Sequence, residues 1–366
     1  MIMAAGAPPA KLSGVAARRW AGTPSGWFRR TPWRLPRLNL ALQGGGAHGA
    51  FTWGVLERLL EEPDFQVDAL SGTSAGALNA VTLASGLLSG GRDGARAALR
   101  GLWQDVADLG RLASARQGVL PQLALDLTAQ VLSPYQLNPL GLNPLREVLA
   151  RRVDFAALQQ ARAPSVLVAA TAGASGPPVL FQGSRLTVEA VLASACLPQI
   201  HQAVEIDGAA YWDGGYSSNP PLLPLVMSSD TRDLLLIQIN PAVSEALPRT
   251  VPEIRNRIGE LVFGRPLEQD LRALEAHRRR SRILSALDRQ PGRRRLARHR
   301  LHRIDGSPEL ATLHPRTKLM PEPASLEDLR ARGRRAAEAW LAGARRDRAG
   351  AVASPVAPPA TAPRAA

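Results

Sequence analysis

The sequence predicts an α/β fold, a parallel sheet with helices on its faces, and three observations lead there. Two strand–turn–helix units follow one another between residues 38 and 88. Two later runs, SVLVAATA (165–172) and DLLLIQIN (233–240), are continuous and apolar, as strands covered on both faces are. Apolar residues at helical spacing occur between them. Units that repeat this grammar lay their strands side by side and parallel.

The elements follow in order. Residues 1–36 read as a flexible basic N-terminal extension of Pro, Gly and Arg with Trp20, Trp27, Phe28 and Trp33. LNLAL (38–42) is a short strand, and a glycine loop, ALQGGGAHGAF (41–51), follows it. Phe51, Val55, Leu56, Leu59 and Leu60 then mark one helix face up to Glu61-Glu62-Pro63. FQVDAL, GTSAG and ALNAVTLASGLL repeat the sequence of strand, tight turn and helix. The stretch 95–150 reads as mostly helical, with the apolar part of 119–150 either packed on the sheet as core or forming a rim or lid, the core reading being favoured. PPVLFQG adds a strand, LTVEAVLASACLP a helix, and VEIDGAAYWDGG a hairpin with an Asp-Gly turn. Beyond Pro248 the chain reads as a helical, Arg-rich region over 246–346, and 347–366 as a disordered low-complexity tail.

Composition narrows the function. A chain of 366 residues with 45% hydrophobic content can bury a sizeable core. Its one cysteine, Cys196, excludes a disulfide framework and argues against a zinc cluster. The net charge of +14 sits in two places. Residues 1–40 hold seven basic and no acidic residues, and 272–303 hold twelve Arg against Glu275 and Asp288. Basic segments attract anionic lipid, nucleic acid or acidic partners. No aromatic platform accompanies 272–303, which disfavours nucleic acid. The uncharged run 69–91 is too rich in Gly, Ser, Thr and Asn for a membrane span and reads as strand, turn and helix.

Three motifs carry chemistry. GTSAG matches G-x-S-x-G, in which a sharp strand-to-helix turn lifts a serine above the sheet and small flanking residues, Gly72 and Gly76, make the turn possible. The helix N-terminus behind Ser74 favours developing negative charge. The pentapeptide alone is equally an ordinary βα turn. A serine nucleophile needs a base, and none of the six histidines (His48, His201, His277, His299, His302 and His314) lies in a recognisable motif, although a late one folding back as a third triad member stays open. WDGGY offers Asp213 instead, between aromatic residues and the glycines Gly214 and Gly215. Desolvation would raise its basicity towards a contacting hydroxyl, although Asp-Gly-Gly read alone is a turn. The glycine loop matches G-x-G-x-x-G, but a dinucleotide site needs an acid at the end of the second strand, and Asp68 stands early in that strand. The backbone N–H groups of Gly44, Gly45 and Gly46 serve better as an oxyanion hole.

GGGAHG, GTSAG and DGG in this order resemble the patatin-like phospholipases. Gly44, Gly45, Gly46 and Gly49 match the family's G-G-G-x-[RKH]-G with His48 at the basic position. Gly72 to Gly76 match G-x-S-x-G, and Asp213-Gly214-Gly215 match D-G-[AG]. ASACLP (193–198) resembles the family's A-S-x-A-x-P helix end. The resemblance implies a three-layer α/β/α sandwich with a mainly parallel central sheet and a catalytic domain over 37–245. It also implies a lipid acyl hydrolase of phospholipase A or lysophospholipase type that works by a Ser74–Asp213 dyad, without metal or cofactor. A cytoplasmic protein, peripheral to an anionic membrane, is the expected setting. The competing readings are a membrane-binding pseudoenzyme, a dinucleotide-dependent oxidoreductase and a nucleic-acid-binding protein.

Overall fold

The computed structural model describes residues 35–117, 133–161, 164–240, 247–284, 291–311, 313, 315–319 and 321–353. The expected N-terminal extension thus falls outside the described residues except for its last two positions. The start of the 119–150 stretch and the end of the expected tail fall outside them too.

The strands are β1 (Leu38–Leu42), β2 (Val67–Thr73), β3 (Ser165–Ala172), β4 (Pro178–Phe181), β5 (Val204–Ile206), β6 (Ala209–Asp213), β7 (Asp233–Gln238) and β8 (Arg300–Asp305). The main helices are α1 (Gly49–Leu59), α2 (Ala75–Gln117), α3 (Leu145–Arg152), α4 (Val188–Ser194), α5 (Leu222–Ser228), α6 (Val251–Leu284), α7 (Pro291–Arg298) and α8 (Pro323–Ala353). α2 is broken at Gly90 and Gly91, whose φ/ψ are not helical.

Strands β3, β2, β1, β7 and β8 are parallel neighbours in that order, while β4, β5 and β6 pair antiparallel. The sheet is therefore mixed, with the parallel core the sequence predicts. β1 and β7 are buried along their whole length, as continuous apolar runs require. Alternate strand residues Ala41, Ala69, Leu167, Leu234 and Leu236 pack on Leu222, Leu225 and Val226 of α5, Leu267 and Leu274 of α6, and Leu296 of α7. Their neighbours Leu40, Leu70 and Leu235 point to the opposite face, the side of α1 and α2.

α8 closes that second face by lying along α1. Its approach is close because Gly54 of α1 and Gly333 of α8 each meet the partner helix's backbone, where a Cβ would collide. Glu57 lies in this seam with no exposure and accepts from Arg330 at 2.7 Å, Arg334 at 3.1 Å and Arg100 at 3.3 Å. Taking a carboxylate out of water is costly unless such donors surround it.

Three expectations need correction. The tail expected to be disordered over 347–366 is helical as far as Ala353, because α8 continues to that residue. The 246–346 region is not only helical, because β8 extends the sheet beside β7. Its polar pattern, RLHRID, hid it: β8 lies at the sheet edge, where side chains need not be apolar. Arg300 and His302 pair with Asp233 at 2.6 and 2.8 Å, and Arg303 pairs with Asp305 at 2.6 Å. In the 119–150 stretch, the apolar residues Tyr135, Leu137, Leu140 and Leu142 are exposed, so this part is surface rather than core; Val148 and Leu149 on α3 are buried. Prolines 134, 139 and 144 keep 133–144 from forming a helix long enough to present one packed face.

One detail of the pairing positions the site. β4 covers one edge of β3 from Val168 to Thr171. On the other edge β2 pairs as far as Ala169, opposite Thr73, and β6 takes over at Ala170, opposite Asp213. The C-terminal ends of β2 and β6 therefore meet head to head.

Candidate active site

β2 ends at Thr73 and α2 begins at Ala75, leaving Ser74 alone between them with φ of 54°. A left-handed serine costs on the order of 1–3 kcal/mol and persists only where its surroundings hold it. Here the N–H groups of Ala77 and Leu78 donate to its carbonyl at 2.8 and 3.1 Å, and its own N–H donates to Ser194 Oγ at 2.9 Å. Gly72 and Gly76 are needed by contact, since a Cβ on the first would meet the Gly76 carbonyl and on the second the Leu42 carbonyl. GTSAG is thus a strained elbow that lifts Ser74 at a helix N-terminus.

Asp213 faces it from the end of β6, fully buried. Its N–H donates to the Cys196 carbonyl at 2.7 Å, and its carbonyl accepts from Thr171 Oγ1 at 2.8 Å. Oδ1 accepts from the Gly215 N–H at 2.7 Å, whereas Oδ2 has no hydrogen-bond partner within ordinary reach among the described residues. Burial pushes the carboxyl up to about 7; the Gly215 N–H and the adjacent Ser74 side chain pull the other way without cancelling it. The group is therefore near half-ionised at neutral pH, with one oxygen open beside a serine hydroxyl. Gly214 sits against the Ala169 carbonyl and Gly215 beneath the Phe263 ring.

The glycine loop lies against the same elbow. A Cβ on Gly44 would stand 2.8 Å from that of Ser74. The Gly44 N–H is committed to Asn219 Oδ1 at 2.7 Å. This departs from the expectation that all three glycines offer a donor. Among the described residues, the N–H groups of Gly45 and Gly46 have no protein acceptor. A short 3-10 turn, Gly46–His48, then leads into α1. Gly49 ends it, packed on Ala75 and Trp103.

His48 is buried, with Nε2 2.7 Å from Thr317 Oγ1. Burial, aided by the nearby Lys318 charge, lowers it to about 4, so the ring is neutral at pH 7. Among the described residues no histidine is hydrogen-bonded to Ser74 or Asp213. His302 pairs with Asp233, His299 Nδ1 lies 2.6 Å from the Leu296 carbonyl, and His314 is outside the described residues. Asp68, the acid a dinucleotide would need, sits at the start of β2, at the far end of the sheet from the loop. There it accepts from Ser229 and Thr231 at 2.5 and 3.1 Å. Cys196 is buried and donates to the Gln202 carbonyl at 3.0 Å, and burial pushes its thiol up to about 11.

Four residues outside the three motifs also hold the site: Ser194, Asn219, Asn240 and Lys318. Ser194 falls in ASACLP, which drew notice only as a helix end. Asn240 Nδ2 donates to the Gly44 carbonyl at 2.6 Å, and Lys318 Nζ donates to Asn240 Oδ1 at 3.0 Å.

Among the described residues no group of His, Cys, Asp or Glu is arranged to hold a metal, and no helix is long and apolar enough to cross a membrane. Among the described residues of the Arg-rich segment, Arg272, Arg278, Arg279, Arg295, Arg300 and Arg303 each meet a carboxylate.

With this geometry in view, the chain was compared with known proteins. No curated protein matches it. Among solved structures it is similar to VipD from Legionella pneumophila, at 12% identity over 83% of this chain and 67% of that one, with a TM-score of 0.33. It is also similar to the ExoU–SpcU complex from the type III secretion system of Pseudomonas aeruginosa, at 17% identity over 87% of this chain, with a TM-score of 0.29. The chain spans 61% of the length of that second relative. Such distant superpositions carry no argument about chemistry. The sequence model described as patatin-like phospholipase matches residues 40–226, just over half of the chain, and takes in the glycine loop, the elbow and the Asp213 turn. The chain belongs to the patatin-like phospholipase family.

Proposed function

We propose that the protein is a serine acyl hydrolase that cleaves lipid acyl esters, of phospholipase A or lysophospholipase type, by a Ser74–Asp213 dyad. One observation carries the reading. A serine held in a strained elbow lies beside a fully buried aspartate whose second oxygen has no other partner. A buried carboxylate near half-ionisation is a far better base at pH 7 than one in water.

Ser74 Oγ attacks the ester carbonyl as Asp213 takes its proton. The carbonyl oxygen becomes an oxyanion, received by the Gly45 and Gly46 N–H groups with the α2 N-terminus behind it. Asp213 then passes the proton to the leaving alkoxide, freeing the alcohol or lysolipid. Water, activated by the same carboxylate, releases the fatty acid from Ser74. No histidine, metal or cofactor enters this sequence of steps.

Lipid as the acyl donor is supported by the surroundings. On α6, Val251, Ile254, Ile258, Leu261 and Val262 recur at helical spacing and are exposed. The same helix reaches the site, for Phe263 packs on Tyr216 with ring centroids 4.7 Å apart. Exposed Leu137, Leu140 and Ile200 add apolar surface on the side where Gln199 bonds Tyr216. An apolar rim of this kind suits a substrate drawn from an aggregate, at the surface of a membrane rather than within it.

The test is hydrolysis of 4-nitrophenyl butyrate and of phosphatidylcholine vesicles by wild type, Ser74→Ala and Asp213→Ala, with folding checked by circular dichroism. Activity in wild type and background rates in both folded variants are expected. Asp213→Ala retaining most of its rate would remove the aspartate from the mechanism.

A further inference from the structure

The family motif asks for a basic residue after the three glycines, yet His48 fills that position as a buried neutral ring. A cation reaches the loop from elsewhere. Lys318 closes a short turn, Pro315–Lys318, whose backbone crosses the loop so closely that Gly46 has no room for a Cβ beneath the Lys318 carbonyl. Only Lys11 and Lys318 are lysines in this sequence, against 43 arginines. A chain that otherwise uses Arg keeps the compact ammonium here, where a planar guanidinium would demand more room.

The hydrogen bonds from Lys318 inward have only one consistent direction. An ammonium can only donate, so Asn240 must turn Oδ1 to Lys318, at 3.0 Å. Its Nδ2 is thereby directed to the Gly44 carbonyl, at 2.6 Å. Gln43 Oε1 holds the Asn240 backbone, accepting from the N–H groups of Ile239 and Asn240, both at 2.9 Å. On the other side the Gly44 N–H is fixed by Asn219. In a trans peptide the C=O and the following N–H point in opposite directions. Fixing the Gly44 carbonyl towards Asn240 therefore turns the Gly45 N–H away from it, to where no acceptor waits among the described residues.

We propose that Lys318 is a positioning residue for ester cleavage: through Asn240 it locks the Gly44–Gly45 peptide so that the Gly45 N–H is aimed at the oxyanion. This rests on the hydrolase reading above. Burial lowers the pKa of Lys318, and the Glu260 charge opposes that shift.

The experiment compares wild type, Lys318→Met, Asn240→Asp and the double variant on 4-nitrophenyl butyrate. Loss of a whole oxyanion donor costs about 10²–10³ in kcat, so a misaimed one should cost about tenfold to hundredfold. Lys318→Met is expected to lose kcat to that extent with KM within about twofold and an unchanged circular dichroism spectrum. Asn240→Asp, which cannot donate to the Gly44 carbonyl, should lose at least as much. The double variant should be no slower than Asn240→Asp, because both act through one bond. Should Lys318→Met not fold, Lys318→Leu and Asn240→Asp make the same comparison. Wild-type kcat in either Lys318 variant, or losses that multiply fully in the double variant, would overturn the relay while leaving the hydrolase reading intact. Wild type inactive on every ester would overturn both.

Discussion

The Phe263 ring lies directly over Gly215, so close that a Cβ on Gly215 would penetrate it. The D-G-[AG] pattern admits alanine at this position, and the sequence alone raises no objection to it. In this chain α6 has taken that space. Gly215→Ala should push Phe263 and α6 outward, disturb the Gly215 N–H that holds Asp213 Oδ1, and lower kcat by about tenfold, in line with the cost of overpacking. Phe263→Leu in the same chain should restore most of the rate. An unaffected Gly215→Ala single variant would show that α6 yields freely.

The pH profile follows from Asp213. In the proposed mechanism the carboxylate must be ionised to take the Ser74 proton, and burial pushes that group up to about 7. The activity against pH should therefore rise through an apparent value near 7 and stay high above it. His201, which burial lowers below its ordinary value, would titrate earlier. His201→Gln should keep the rising limb. Measuring kcat/KM from pH 5 to 9 for wild type and His201→Gln checks both statements.

Glu57 ties α1 to α8. Burial raises its pKa, but hydrogen bonds and charge from Arg330 and Arg334 outweigh it, so the folded value lies below the ordinary one. A lowered carboxyl stabilises the fold above its unfolded value, and that contribution fades as pH falls through the folded value. Glu57→Gln should cost about 2–3 kcal/mol at pH 7, discounted from a fully buried pair because the arginines stay partly exposed. The gap to wild type should narrow below about pH 4. Urea unfolding at pH 7 and pH 3.5 is the measurement.

The exposed stripe on α6 separates interface from chemistry. Ile258→Asp with Leu261→Asp should lower the rate on phosphatidylcholine vesicles by tenfold or more and leave 4-nitrophenyl butyrate hydrolysis within about twofold. Equal losses on both substrates would mean that the stripe matters for folding or for the site itself rather than for the lipid surface.

What was legible in the sequence was local. β1, β7 and the elbow at Ser74 announce themselves within a few residues, through unbroken apolar runs and a glycine spacing only a tight turn requires. β8 was hidden because an edge strand whose arginines pair with Asp233 and Asp305 looks like any polar segment. The exposed leucines of 133–144 read as core because apolarity alone does not say which side it faces. Asn219, Asn240 and Lys318 were out of reach for another reason. They touch the glycine loop across about 175 to 270 positions, and nothing in their own neighbourhood marks them. The loss of the Gly44 N–H to Asn219 is the same lesson inside a motif: the glycines predict flexibility, and a distant side chain decides which amide remains available.

If Ser74 and Asp213 act as the proposed pair, the meeting of β2 and β6 on one edge of β3 makes ester cleavage a gauge of strand register. The gap between the elbow and the carboxylate is set by the rise of one strand, about 3.3 Å per residue, and not by the closing of a hinge. If β6 slipped by one residue, every side chain on it would change faces and Asp213 would turn out of the site. A single residue inserted into the hairpin between Val204 and Asp213 could thus silence a protein that still folds, while the same insertion in the 173–176 turn, beyond the last β3 residue paired with β6, would be spared that fate.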